Sequence, residues 1–180
     1  QSKGGARSVT LQLKLANGKD YSETVYVSNK EGKNVYVKDD KDYYLPGFLL
    51  INNIAIMATE KNLFDLAESV ETRTVKLYDY DAKKKIATDL PAIIPLIGKN
   101  IMVAIIEKEE EKTTLNTSTN KYEPTGEYRI KNEMVKVFNP ETKQTAPEMR
   151  DEKEAAVYAN WITEHKGKLK VSERAAAPAN

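Results

Sequence analysis

The chain has no cysteine and one histidine, His165, in 180 residues. The first absence excludes disulfides, thiolate nucleophiles and cysteine-ligated metals; the second excludes a histidine-rich metal centre. No apolar run approaches the length of a membrane-spanning helix, and no basic-then-apolar leader opens the chain, so the sequence predicts an intracellular protein that does not enter a membrane. Asn116-Thr117-Ser118 has the form of a glycosylation sequon, which without export is a chance match. Also missing are a glycine-rich phosphate loop and a serine or threonine in a nucleophile-elbow pattern. Charge of one sign is lacking too: 28 Lys and Arg against 27 Asp and Glu leave a net charge of +1. Nucleic-acid binders usually show a basic surplus, so the total argues against that class. What binds a polyanion, however, is positive charge gathered on one face, which a balanced total can hide.

Acidic residues do cluster, at Glu107, Glu109, Glu110 and Glu111 and at Asp39, Asp40 and Asp42. Such groups can hold a divalent cation for hydrolysis, but here lysines interrupt them, the pattern of a solvated surface. The sequence therefore predicts no enzyme and no cofactor, with a metal-dependent nuclease as an alternative.

What is present is β patterning around one long hairpin. Residues 101–106, Ile-Met-Val-Ala-Ile-Ile, form an apolar, β-branched run that predicts a strand covered on both faces. An acidic exit follows, then a polar stretch, 112–126, which reads as an exposed hairpin loop. The return segment, 128–138, interleaves Arg129, Lys131 and Lys136 with apolar residues, and its alternation slips near Glu133-Met134-Val135, where a β-bulge would redirect it.

Upstream, residues 1–7 read as a basic arm, and strict alternation over 8–16 marks a half-buried strand ending at Asn17-Gly18. Strands at 23–28 and 34–38 complete a meander whose outward positions include Gln12, Lys14, Tyr26, Tyr36 and Lys38. Bases stack on exposed rings while lysines meet phosphates, so a tyrosine–lysine face is a plausible platform for single strands. The plain alternative is that Tyr26 and Tyr36 pair across strands and only stabilise the sheet. Residues 39–42 read as a charged turn and 48–61 as a buried helix. A short capped helix follows through Leu63, Phe64, Leu66 and Ala67, with Met57 and Phe64 in the core. Strand periodicity returns over 72–80, placing Thr74, Lys76, Tyr78 and Tyr80 on one side. Lys83-Lys84-Lys85 is a turn, and 91–98 suits a short helix closed by Gly98. Residues 151–165 predict a terminal helix stopped at Gly167, with His165 beside the stop.

Five or more strands, a helix between the third and fourth, and tyrosine–lysine faces match the mainly β OB-fold, a five-stranded β-barrel that commonly binds single strands. The predicted organisation is a flexible basic arm, 1–7, one OB-fold domain with a long β-hairpin and a C-terminal helix, 8–167, and a disordered tail, 168–180. Candidate DNA-binding residues are Lys14, Tyr26, Tyr36, Lys38, Lys76, Tyr78, Arg129 and Lys131.

At Tyr44-Leu45-Pro46-Gly47-Phe48, Val75-Lys76-Leu77-Tyr78-Asp79-Tyr80, Leu96-Ile97-Gly98-Lys99-Asn100 and Glu133-Met134-Val135-Lys136-Val137-Phe138-Asn139-Pro140-Glu141-Thr142, the chain resembles the bacteriophage single-stranded DNA-binding proteins. The resemblance runs from about residue 9 to residue 168 and extends to the Trp-containing segment 155–167. It implies an OB-fold that coats single-stranded DNA in the host cytoplasm during phage replication or recombination, with little sequence preference and with phage replication proteins as partners. Family members often end in an acidic tail that recruits those partners; residues 168–180 are instead basic to neutral. A phage structural or assembly protein, using the tyrosine faces as protein interfaces, is the other alternative.

Overall fold

Positive-φ residues set the turns, and the turns decide which strands pair. The structure, a computed structural model, describes residues 4–79 and 82–171. Its chain is mainly β with a few helices and divides into two compact units, residues 1–102 with 139–141, and residues 103–138 with 142–180.

In the first unit, β1 (Ser8–Lys14) and β2 (Asp20–Tyr26) form an antiparallel ribbon closed through Gly18, whose φ of 80° suits a residue without a side chain. A second ribbon joins β3 (Val35–Lys38) to β4 (Lys41–Tyr44). Asp39 and Asp40 both take positive φ, 51° and 56°, the two-residue geometry that matches the twist of a hairpin. The charged turn read from the sequence is therefore only two residues long, and Lys41–Tyr44 is a strand. A third ribbon pairs β5 (Val70–Asp79) with β6 (Lys84–Ile93). Pro91 sits within β6, where the expected helix would have begun; an edge strand tolerates proline because its outward N–H needs no partner. Only Ile94–Leu96 makes a helical turn, and Gly98 follows with φ 73°.

Helix α1 (Pro46–Thr59) packs on β2 and on the 94–96 turn. Pro46 fixes the first turn's φ without losing a helical hydrogen bond, and Glu60 ends the helix in the left-handed region. Its Phe48, Ile51, Ile54 and Ala55 are buried, as are Leu11, Val25 and Leu66 of the same unit. The short helix expected after it is a run of turns ending in a 3₁₀ turn at Ala67–Ser69, with the Asn62 side chain accepting from the Phe64 and Asp65 N–H groups. Phe64 is not core: it lies against Phe48 (centroids 5.2 Å apart) and stays 59% exposed. Arg7, placed in the arm, is tied down: its carbonyl accepts from Val27 N and Ser28 N, and its N–H donates to Ser28 Oγ.

In the second unit, β7 (Met102–Asn116) and β8 (Lys121–Phe138) make the long hairpin, and β9 (Leu169–Lys170) joins β7 in parallel. The hairpin is longer than read, because strand structure runs through most of 112–126 and only residues 117–120 turn. Threonine-rich polar residues pair as readily as apolar ones when both faces meet water. Ala104 and Ile106 are buried while Val103 and Ile105 are half-buried. Along β8, Met134, Val137 and Phe138 are buried, and the adjacent pair Val137 and Phe138 shows that the end of the strand is covered on both faces. The terminal helix expected over 151–165 starts later, as α3 (Ala156–His165), and a separate short helix that was not expected, α2 (Ala146–Arg150), precedes it. Thr145 and Glu148 form a reciprocal capping box at α2, and the Glu148 carboxylate also accepts from Val157 N, fixing the break between the helices. Phe138 meets Tyr158 and Trp161 of α3 edge-on, at 5.2 and 6.4 Å. Residues 169–170, placed in the disordered tail, are strand.

Among the described residues the strands form three two-stranded sheets and one three-stranded sheet, with no closed barrel. No helix among them is long and apolar enough to cross a membrane.

Candidate nucleic-acid interface

A strand directs alternate residues to opposite faces, and residues directly opposite in an antiparallel pair share a face. The β3–β4 register pairs Tyr36 with Tyr43 and Lys38 with Lys41, so one face of the ribbon carries two tyrosines and two lysines. The rings are stacked, with centroids 5.8 Å apart and planes 28° apart, and remain 42% and 43% exposed. Neither lysine makes an ion pair among the described residues, which leaves both ammonium groups available to an anion. The other face pairs Val35 with Tyr44 and Val37 with Asp42. Asp42 thus points away from the lysines, and Tyr44 stacks on Phe48 of α1 (5.0 Å) to anchor the ribbon.

A similar face occurs on β5–β6, where Thr72, Thr74, Lys76 and Tyr78 lie opposite Pro91, Asp89, Ala87 and Lys85. Every one of these positions is exposed. Tyr78 lies directly across from Lys85 and two residues from Lys76, so one ring has two cations beside it. Thr74 Oγ1 donates to Asp89 Oδ1 at 2.6 Å, which occupies the acidic group on this face.

The remaining sequence-predicted residues are less available. Tyr26 is exposed, but β2 does not pair with β3, so Tyr26 and Tyr36 stand on separate ribbons and not on the one meander face expected. Each strand is instead paired within its own hairpin, β2 with β1 through the Gly18 turn and β3 with β4 through the Asp39–Asp40 turn. Lys14 occupies the same face as Tyr26 at the far end of the ribbon, six residues and about 20 Å away. Its Nζ bonds Asp20 Oδ1 at 2.9 Å, which holds the Asp20 carboxyl below its ordinary range.

Arg129 is engaged in the second unit, with Nε and Nη2 donating to Glu110 Oε2 at 3.1 and 2.8 Å. This guanidinium lowers the Glu110 pKa, with a further contribution from Lys131. Lys112 pairs with Glu127 (3.0 Å) and Lys108 with Glu133 (2.9 Å), so the hairpin face bearing Arg129 is laced with opposite charges. A phosphate there would compete with a carboxylate already in place. The acidic runs form no group of three or more metal-ligating side chains among the described residues.

Sequence reasoning missed Tyr43, Lys41 and Lys85. A signal for the first two was present: Tyr36-Val37-Lys38-Asp39-Asp40-Lys41-Asp42-Tyr43 repeats tyrosine and lysine symmetrically about Asp39-Asp40, as a two-residue hairpin requires for like residues to face each other.

Compared with protein-family models, with curated proteins and with solved structures, the chain finds no match.

Proposed function

We propose that this chain binds single-stranded DNA with little sequence preference, coating it during phage replication or recombination in the host cytoplasm. The observation that carries the proposal is the exposed Tyr36–Tyr43 stack with Lys38 and Lys41 on the same face. Stacked, exposed rings offer π-faces to any base, and ammonium groups at one remove along the strands meet the backbone. The Lys76–Tyr78–Lys85 face supplies a second element of the same kind. Bases are accessible for stacking only when unpaired, so this arrangement favours single strands over duplex. On this reading the chain is a binding protein and not an enzyme, it needs no cofactor, and phage replication proteins are its partners.

The OB-fold belongs to the same proposal. It requires pairing between ribbons beyond that seen among the described residues, β2 with β3 in the first instance. Nuclear Overhauser contacts between those strands in the DNA-bound protein test it; their absence would leave a β-rich binder of another topology.

The functional test is a titration of labelled oligo-dT, duplex DNA and RNA by anisotropy. Tighter binding to oligo-dT than to duplex at each salt concentration supports the proposal. Equal or tighter duplex binding overturns it.

A further inference from the structure

The second unit holds a groove of about 330 Å³ between β7 and the end of α3. Ile105, Ile106 and Ile162 form its apolar part; Trp161, His165, Lys166 and Lys168 form the rest, with Glu107 at one side. Its size falls at the small end of the range for ligand pockets. Two features show what would fit. The His165 ring lies flat on Trp161, with centroids 4.8 Å apart and planes 5° apart, and its side chain is still 36% exposed. The ring is fixed there by His165 Nδ1, 3.0 Å from the Trp161 carbonyl; a carbonyl only accepts, so Nδ1 donates. Phe138 meets the indole edge-on, so the column of rings is anchored at one end and open at the other. Beyond it, Lys166 and Lys168 flank Gly167 and make no ion pair among the described residues.

We infer that this groove binds a nucleotide, the base stacking on the open face of His165 and the phosphate lying between Lys166 and Lys168. A planar aromatic group extends the Trp161–His165 column, and an anion answers the two unpaired cations. Glu107 accepts from a base amino group and, by repulsion, turns the phosphate toward the lysines. The site lies on a different unit from the tyrosine ribbons and does not rest on their function.

The chain contains one tryptophan and one histidine, so the indole N–H and the imidazole ring protons report on this groove without ambiguity. Titration with dAMP should shift both sets of resonances saturably. Deoxyadenosine should shift them with weaker affinity, and inorganic phosphate should leave the His165 ring protons in place. Lys166→Gln with Lys168→Gln should weaken dAMP by about fivefold or more while deoxyadenosine binding holds, since only the phosphate contacts are lost. His165→Leu, read at the indole, should abolish the response to both. The Tyr36→Ala, Tyr43→Ala variant should keep the full dAMP response, which separates this site from the ribbon. No saturable shift, or equal dAMP affinity in the wild type and the double lysine variant, would overturn the inference whatever oligo-dT binding shows.

Discussion

At the scale of single residues, Tyr36 and Tyr43 carry the proposed function and Glu148 carries a local fold. Tyr36→Ala or Tyr43→Ala should weaken oligo-dT binding by roughly 1–3 kcal/mol, and Phe at either position should cost little, because the π-face survives. The melting temperature should change only slightly, since both rings are already over 40% exposed. If the rings served only cross-strand packing, the order would reverse, with stability falling and affinity holding. Glu148 is buried, and burial by itself raises its pKa; hydrogen bonds from Thr145 N, Val157 N and Thr145 Oγ1 outweigh that and lower it. A carboxyl whose folded pKa is depressed stabilises the fold above its unfolded pKa, and that contribution disappears as pH falls through the folded value. Glu148→Gln should therefore cost about 2 kcal/mol at neutral pH. The gap to the wild type should narrow in thermal melts below the ordinary glutamate range. The Thr145-x-x-Glu148 spacing was legible in the sequence as a helix start, yet apolar periodicity drew the helix to 151–165 alone. Tyr43 was hidden for a different reason: its role depends on a partner strand that only the Asp39–Asp40 turn creates.

At the scale of elements, close approach of backbones gives the sharpest tests. Gly47 lies in the first turn of α1, and a Cβ there would overlap the Tyr26 carbonyl oxygen and press on Val25 Cγ1. Alanine in place of a helical glycine ordinarily gains about 1 kcal/mol. The overlap is with backbone that no rotamer change can relieve, so the clash dominates and Gly47→Ala should be destabilising by about 1–2 kcal/mol net. A raised melting temperature would show that α1 does not sit on β2 as described. On β7, Ile105 and Ile106 both line the groove, but Ile106 is buried and Ile105 only half-buried. Ile106→Asp should cost about 3 kcal/mol or more through an unpaired buried carboxylate, and Ile105→Asp distinctly less, as chemical denaturation would measure. Strand existence was largely readable from period-two alternation at 8–16 and 72–80, and five of the six apolar residues 101–106, all but Ile101, do lie in a strand, buried at Ala104 and Ile106 and half-buried at the others. Pairing was not readable, because register and partner depend on turn conformations that several residue types adopt. The polar strands through 112–126 were missed for want of an apolar face.

At the scale of the whole molecule, the net charge of +1 hides an uneven distribution. Lysines collect with tyrosines on two exposed ribbon faces of one unit, while on the hairpin of the other Lys108, Lys112 and Arg129 pair with Glu. The composition could state the balance but not the faces, since only pairing decides which side chains stand together. Of eight DNA-binding residues named from sequence, Tyr36, Lys38, Lys76 and Tyr78 fall on those two faces, whereas Lys14 and Arg129 are held by carboxylates. The most direct test of the central claim is the salt dependence of oligo-dT affinity for the wild type, for Tyr36→Ala with Tyr43→Ala, and for Lys38→Gln with Lys41→Gln, each confirmed folded. Log affinity should fall linearly with log salt. The tyrosine pair should lose affinity by a similar factor at every salt concentration, and the lysine pair should flatten the slope by about 1.4, two phosphates at about 0.7 each. Wild-type affinity and slope in both variants would contradict the claim that this ribbon face binds single-stranded DNA.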